Sequence, residues 1–197
     1  MDPVEHGLDP ELARKAQDAL DYEARIDRSL GALERCRVPT IAAIQGACTG
    51  GGAGIAACCD LRIAARSMRY GFPVARTLGN CLSMNNYARL AALLGPARVK
   101  DIIFRARLVE AEEALAISLV SELLDDGASL MQRAEELVRE VAALAPLTLQ
   151  ATKEALYRLR TKPDEGRDLV LMCYMSEDFR EGMEAFLGKR KPVWKGR

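Results

Sequence analysis

The chain has one histidine, His6, among its 197 residues, and that scarcity removes whole classes of chemistry. A Ser–His–Asp triad needs an imidazole held in the folded domain. His6 lies in a loop-like start rich in proline and acid, and no G-x-S-x-G occurs. The six cysteines, Cys36, Cys48, Cys58, Cys59, Cys81 and Cys173, make no C-x-x-C pair and stand far from His6 in sequence, so the spacings of a zinc site are missing and no metal is expected. An excess of one charge is lacking too. Lys plus Arg and Asp plus Glu number 28 each, which suggests neither a nucleic acid nor an acidic membrane surface as partner. No apolar run reaches membrane-spanning length and the start is acidic rather than signal-like. With reduced thiols, this reads as a cytoplasmic protein. Phosphate-binding signatures are absent: there is no G-x-x-x-x-G-K-[ST], and Gly50 and Gly52 are followed by Ile55 rather than by the third glycine of G-x-G-x-x-G.

What is present centres on residues 38–71, VPTIAAIQGACTGGGAGIAACCDLRIAARSMRYG. Thr40 to Ile44 is short, apolar and partly β-branched, which predicts a buried strand. Gly46 and the run Gly50-Gly51-Gly52 follow, where the main chain can bend sharply and be approached closely. Ala53 to Cys59 is small and apolar on every side, which predicts a helix buried all round, with Cys58 and Cys59 as filler. A helix starting beside Gly51 leaves unpaired N–H groups and a partial positive charge at its first turn, a site for an anion or a developing oxyanion. Tight packing is the alternative reading of the same turn.

The flanks read as one domain, or one with a helical appendage. Pro10 follows Asp9 as a first helical residue after its cap, and Glu11 to Cys36 is predicted helical until Pro39 ends it. Leu12, Ala16, Ala19, Leu20, Ile26, Leu30 and Leu33 form its apolar face, and Arg14, Lys15, Asp18, Asp21, Arg25, Asp27 and Arg28 its solvated one. Beyond the centre, Asp60 to Ala64 is extended, Arg66 to Tyr70 leads into another short extended piece, and Gly71 to Cys81 is loop. Helices are expected over 83–94, 97–104, 111–117, 129–144, 147–160 and, interrupted near Ser176, 167–187. Leu119 to Leu123 is a short strand. The basic tail carries the only tryptophan, Trp194.

The segment IAAIQGACTGGGAGIAACCDLRIAA resembles the signature of the enoyl-CoA hydratase/isomerase, or crotonase, family. Gly71-Phe72-Pro73, the stretch LLGPARVKDIIFRARLVEAEEALAISLVSELL and SEDFREGMEAFLGKRKPVWKG resemble further family segments in the same order. The resemblance implies an α/β fold, a crotonase-like ββα spiral whose first strands are absent here. Its spiral core would occupy 1–124, preceded by helices, and a helical region that covers CoA and builds a trimer would occupy 125–197. It implies an acyl-CoA thioester as substrate, with CoA as part of it and no other cofactor, and a homotrimer or hexamer. Matching the GGG run places an oxyanion N–H donor at Gly51, with Cys48, Gly50, Val74 and Arg76 lining the substrate site. Phe186, Lys189 and Lys191 fall where the family contacts the CoA nucleotide. The family's other oxyanion donor belongs to an upstream A-x-A-G-x-D loop that nothing here matches.

Two departures bear on mechanism. Hydratase glutamates are expected two residues after the GGG run and directly after the next proline; Gly54 and Val74 stand there, and neither transfers a proton. Ala75 is the other match if the loop is one residue longer. The substitutes in the following loop are Arg76, Asn80, Cys81, Ser83, Asn85 and Asn86. Arg76 fits either a substrate carboxylate or a surface salt bridge, and Cys81 either a nucleophile or packing. Glu110, Glu112 and Glu113 suit a solvated first helical turn. The expected function is a hydratase/isomerase-like enzyme with an altered acid/base; the alternative is a non-catalytic acyl-CoA-binding or assembly subunit, or an inactive fragment.

Overall fold

The structure is a computed structural model and describes residues 10–143, 146–161, 174–190 and 192–193. Its elements follow in chain order: α1 (Pro10–Glu34), β1 (Ile41–Ile44), β2 (Ala47–Thr49), α2 (Gly51–Cys58), β3 (Leu61–Ala65), β4 (Arg69–Gly71), α3 (Val74–Thr77), α4 (Met84–Leu94), α5 (Pro96–Phe104), β5 (Val109–Glu110), α6 (Ala111–Ala116), β6 (Glu122–Leu124), α7 (Gly127–Ala142), α8 (Pro146–Arg160) and α9 (Glu177–Leu187). Two strands and a helix make one turn of a spiral, and the next turn stacks on it. β1 therefore pairs in parallel with β3, Ile41 opposite Leu61, and β2 with β4, Cys48 opposite Tyr70. One sheet runs β1-β3-β6, all parallel; the other runs β2-β4-β5, with β5 antiparallel.

Strand alternation divides the core. On β3, Ala64 faces the large cluster with Ile44, Ala53, Met68, Tyr70 and Phe72. Ile63 and Ala65 face the other way, onto Leu130 of α7. Tyr70 is fully buried and its hydroxyl donates to the Ala53 carbonyl at 3.1 Å, which pins α2 to the second sheet. α8 is tied to the α2–β3 and α1–β1 joints by Lys153, which donates to Asp60 at 2.6 Å and to the Val38 carbonyl at 3.2 Å.

Several expectations are corrected. β1 is not buried: it lies at the edge of its sheet among the described residues, and only Ile44 is buried. α2 is not covered all round, because Ile55 is 52% exposed on its outer side. Residues 71–81 contain the single-turn helix α3. The strand expected over 119–123 begins at Glu122, because Leu119 and Val120 plug the main core after Ser118 turns the chain with φ of 61°. β2 and β5 are too short to carry an alternation. On α1, Leu12 is 43% exposed while Asp27 turns inward, against the faces assigned to them. Met1 to Asp9, Lys191 and Trp194 lie outside the described residues, as does the 167–173 part of the helix expected before Ser176.

Candidate active site

The glycine turn is built by one unusual residue. Gly50 has φ 54° and ψ −118°, a conformation that a side chain would strain, and its N–H donates to the Gly71 carbonyl at 3.1 Å. This bond ties the turn to the end of β4 and sets Gly51 as the first residue of α2. Hydrogen bonding inside α2 starts with the Gly54 N–H, which donates to the Gly50 carbonyl at 2.9 Å. Among the described residues the Gly51 N–H has no acceptor. A Cβ built on Gly51 would meet nothing within 4 Å. Gly51 thus borders open space on its Cα side, and its N–H belongs to the positive end of a helix, where negative charge is stabilised.

Cys48, on β2, is half-buried against the same core, and burial raises its thiol above the ordinary range. Burial pushes Cys58 up to about 11 and Cys59 in the same direction, so these thiols stay protonated and poorly nucleophilic. Val74 opens α3 with its side chain only 9% exposed, inside the main cluster. Arg76, two residues on, is exposed; its N–H donates to the Pro73 carbonyl at 3.0 Å, and its guanidinium has no ion pair among the described residues. Gly54 faces α1: a Cβ there would stand 3.4 Å from Leu30 Cδ1.

The loop after α3 is held by α1. Ser83 Oγ donates to Asp27 Oδ1 at 2.8 Å and Asn85 Nδ2 donates to Asp27 Oδ2 at 3.0 Å. Ser83 also caps α4, accepting from the Asn86 N–H at 3.3 Å. Asn86 is buried and accepts from Arg89, whose guanidinium also reaches Glu34 at 3.1 Å. Cys81 is half-buried. Glu112 pairs with Arg66 at 2.9 Å and Glu113 takes Arg107 on both oxygens at 2.6 and 2.7 Å, so both are occupied at the surface. The Arg107 contacts hold the Glu113 carboxyl below its usual range.

Sequence reasoning missed Glu23. It is 7% exposed on the inner face of α1 and accepts a hydrogen bond from the Tyr174 hydroxyl. Asn80 Nδ2 donates to the same hydroxyl at 3.4 Å, while Asn80 Oδ1 is buried without a partner among the described residues. Burial raises the Glu23 carboxyl above its usual range; the Tyr174 bond opposes this and the Asp27 charge adds to it. Burial and the bond to Glu23 push the Tyr174 phenol up as well. Tyr174 and Asn80 line a groove of about 910 Å³ between α1 and α9, with apolar walls from Leu12, Tyr22, Phe179 and Met183. The signal was in the spacing. Glu23 and Asp27 fall in step with Ala16, Ala19 and Leu30, where a purely amphipathic helix would place apolar residues.

Phe186 and Lys189 stand at the end of α9. Phe186 is 68% exposed and Lys189, with φ of 49°, is exposed too, so neither belongs to the core.

A family model described as enoyl-CoA hydratase/isomerase matches residues 7–197. This chain belongs to that family. The short-chain-enoyl-CoA hydratase of Clostridium acetobutylicum is 34% identical over 164 residues, covering 81% of this chain and 62% of that protein. The solved enoyl-CoA hydratase/carnithine racemase of Magnetospirillum magneticum superposes with a TM-score of 0.69 at 30% identity, over 92% of this chain and 68% of the other. A methylmalonyl-CoA decarboxylase in complex with 2-nitronate-propionyl-CoA superposes with a TM-score of 0.83 at 26% identity, over 92% and 72%. The chain therefore spans roughly two thirds of the length of these enoyl-CoA hydratase/isomerase relatives. The α/β spiral of parallel strand pairs is the fold shared with them.

Proposed function

We propose that this chain binds an acyl-CoA thioester and stabilises the enolate oxygen formed from its carbonyl, as a hydratase/isomerase-like enzyme. The observation that carries this is the Gly51 N–H, without an acceptor among the described residues at the first turn of α2, in a chain of this family. Charge grows on the carbonyl oxygen in the transition state, so a donor fixed in advance favours the transition state over bound substrate. Cys48, Gly50, Val74 and Arg76 surround the acyl end in this reading. Phe186 and Lys189 meet the CoA nucleotide, an aromatic face and an ammonium suited to adenine and phosphate. The 125–197 region covers the CoA and builds a homotrimer or hexamer.

The acid/base is not at positions 54 and 74, and this favours a second reading. Decarboxylation of a 2-carboxyacyl thioester forms the same enolate by loss of CO2, so no base has to remove a C–H proton. The TM-score of 0.83 to a decarboxylase supports it, as does Arg76, a cation without an ion pair among the described residues and suited to the departing carboxylate.

The test is calorimetric titration of crotonyl-CoA, acetoacetyl-CoA and methylmalonyl-CoA, with free CoA as control, followed by assays of hydration and of CO2 release. Thioester binding well above that of free CoA supports the oxyanion site, and the assays divide the two reactions. Binding without turnover makes the chain a non-catalytic acyl-CoA binder. Absence of thioester binding overturns the proposal.

A further inference from the structure

An α-helix leaves the N–H groups of its first turn and the C=O groups of its last turn unpaired. α2 has only eight residues, so about half of its backbone groups have no partner within it. Its two ends are treated differently. The first turn keeps the Gly51 N–H without an acceptor among the described residues, while the last turn is gripped by one side chain from β3. We propose that Arg62 is a positioning residue for the oxyanion donor: by holding the C-terminal end of α2 it sets where the Gly51 N–H stands. This rests on the thioester reading above.

Arg62 lies two residues before Ala64 on β3, so the alternation of the strand turns both toward the cluster that contains Ala53 and Ala56 of α2. Its guanidinium is spent on main-chain carbonyls. Nη1 donates to the Cys59 carbonyl at 2.6 Å and to the Ala56 carbonyl at 3.4 Å, and Nε donates to the Leu119 carbonyl at 2.8 Å. In return the Arg62 carbonyl accepts from the N–H and the hydroxyl of Ser121, at 2.9 and 3.1 Å. The end of α2, β3 and the 119–121 segment are thus closed into one unit, and Leu119 and Val120 of that segment plug the main core.

The Arg62 cation is half-buried and has no ion pair among the described residues. The adjacent acid, Asp60, is taken by Lys153 at 2.6 Å and by Thr40. Drawing such a charge out of water costs free energy that an alkyl side chain in its place would not. What the charge supplies is a cation at the negative end of a helix, and a fork that reaches carbonyls of two chain segments at once, which an ammonium does not match. Gly51 and Ala56 are about 7.5 Å of helix rise apart, so a tilt at the gripped end is carried to the donor. A misplacement of about 1 Å at a reacting group costs about 100-fold in rate. The other end has its own ties, Gly50 N–H to Gly71 and Tyr70 hydroxyl to Ala53, so loss of Arg62 frees one end of α2 without undoing the glycine turn.

The experiment compares two ligands by calorimetric titration of the full chain. Propanoyl-CoA has a tetrahedral C2; 2-nitronate-propionyl-CoA has a planar, anionic C2 that mimics the enolate. The ratio of their affinities reads the preference for the transition state, and thermal melting reads stability. Arg62→Met keeps an alkyl stem, and Arg62→Lys keeps the charge without the fork. Leu130→Ala, in the separate cluster on the other face of β3, is the control for lost stability alone. The expected result is a nitronate preference that falls about 10-fold in R62M and R62K, with propanoyl-CoA affinity within about twofold of wild type. L130A melts lower and keeps the wild-type preference. An unchanged preference in folded R62M or R62K overturns the proposal and leaves the thioester reading standing. So does an equal fall in L130A. Where R62M does not fold, R62K decides alone; unfolding of both assigns Arg62 to stability and overturns the proposal as well. Failure of the wild type to bind either thioester, or to prefer the nitronate, overturns the oxyanion reading and this proposal together.

Discussion

At the scale of single residues, the site depends on which backbone atoms are left free. Gly50 carries the conformation and, in the proposed site, Gly51 carries the donor, so the two can be separated. Gly51→Pro removes the N–H at the first helical position, where proline is tolerated. Turnover is expected to fall by about 10²–10³-fold with the fold retained, as for loss of one oxyanion donor; circular dichroism and steady-state kinetics check it. Gly50→Ala instead forces a side chain into φ 54°, ψ −118° and is expected to cost about 1–3 kcal/mol, read by urea denaturation. Glu23 makes a prediction about pH. Its folded value is raised above the ordinary 4.5, so its contribution to stability is fully present below about pH 4.5 and is lost as pH rises through the folded value. Glu23→Gln does not titrate. The variant should gain on the wild type as pH rises through that window in thermal melts, and parallel curves would refute the assignment.

At the scale of elements, α1 is held by charges rather than by its apolar stripe alone. Glu34, on the inner face, binds buried Arg89 at 3.1 Å and also Arg160 of α8. Glu34→Ala leaves the Arg89 charge buried and unpaired, and should destabilise by about 3–5 kcal/mol in urea unfolding. α9 is seated differently. A Cβ on Gly182 would collide with the Leu78 carbonyl and stand 2.9 Å from the Leu78 Cα, so the helix backbone rests directly on the loop after α3. Gly182→Ala should lift α9 off that loop at a cost of about 1–3 kcal/mol. Faster proteolysis within α9 is the expected sign, with the spiral core left intact.

At the scale of the whole molecule, apolar surface remains uncovered. Phe104 is 77% and Leu159 78% exposed, and β1 presents an open edge among the described residues. Faces of this kind are covered by association in most stable proteins. In the proposed homotrimer or hexamer, sedimentation should give multiples of 21.6 kDa with a concentration-dependent mass, and Leu159→Glu should shift it toward the single chain. A monomer at all concentrations would remove the oligomer from the proposal. No helix among the described residues is long and apolar enough to cross a membrane.

The local pattern by itself determined where the chain turns. Pro10 starts α1, Ser83 caps α4, and Gly95-Pro96 separates α4 from α5, because capping, proline and glycine act within a few residues and need no partner from elsewhere. Family resemblance then located Gly51 and marked the missing carboxylates at Gly54 and Val74. Tertiary structure alone decided which side of each element is covered. The periodicity of α1 puts Glu23 and Asp27 in step with its inner face but cannot tell what they meet there, because their partners, Tyr174 and Ser83 with Asn85, lie 151 and about 56–58 residues away in sequence. It also decided that β1 lies at an edge among the described residues and that Ile55 is left out of the core. Burial depends on what the rest of the chain, or another chain, places against a surface, and spacing within one segment carries no record of that.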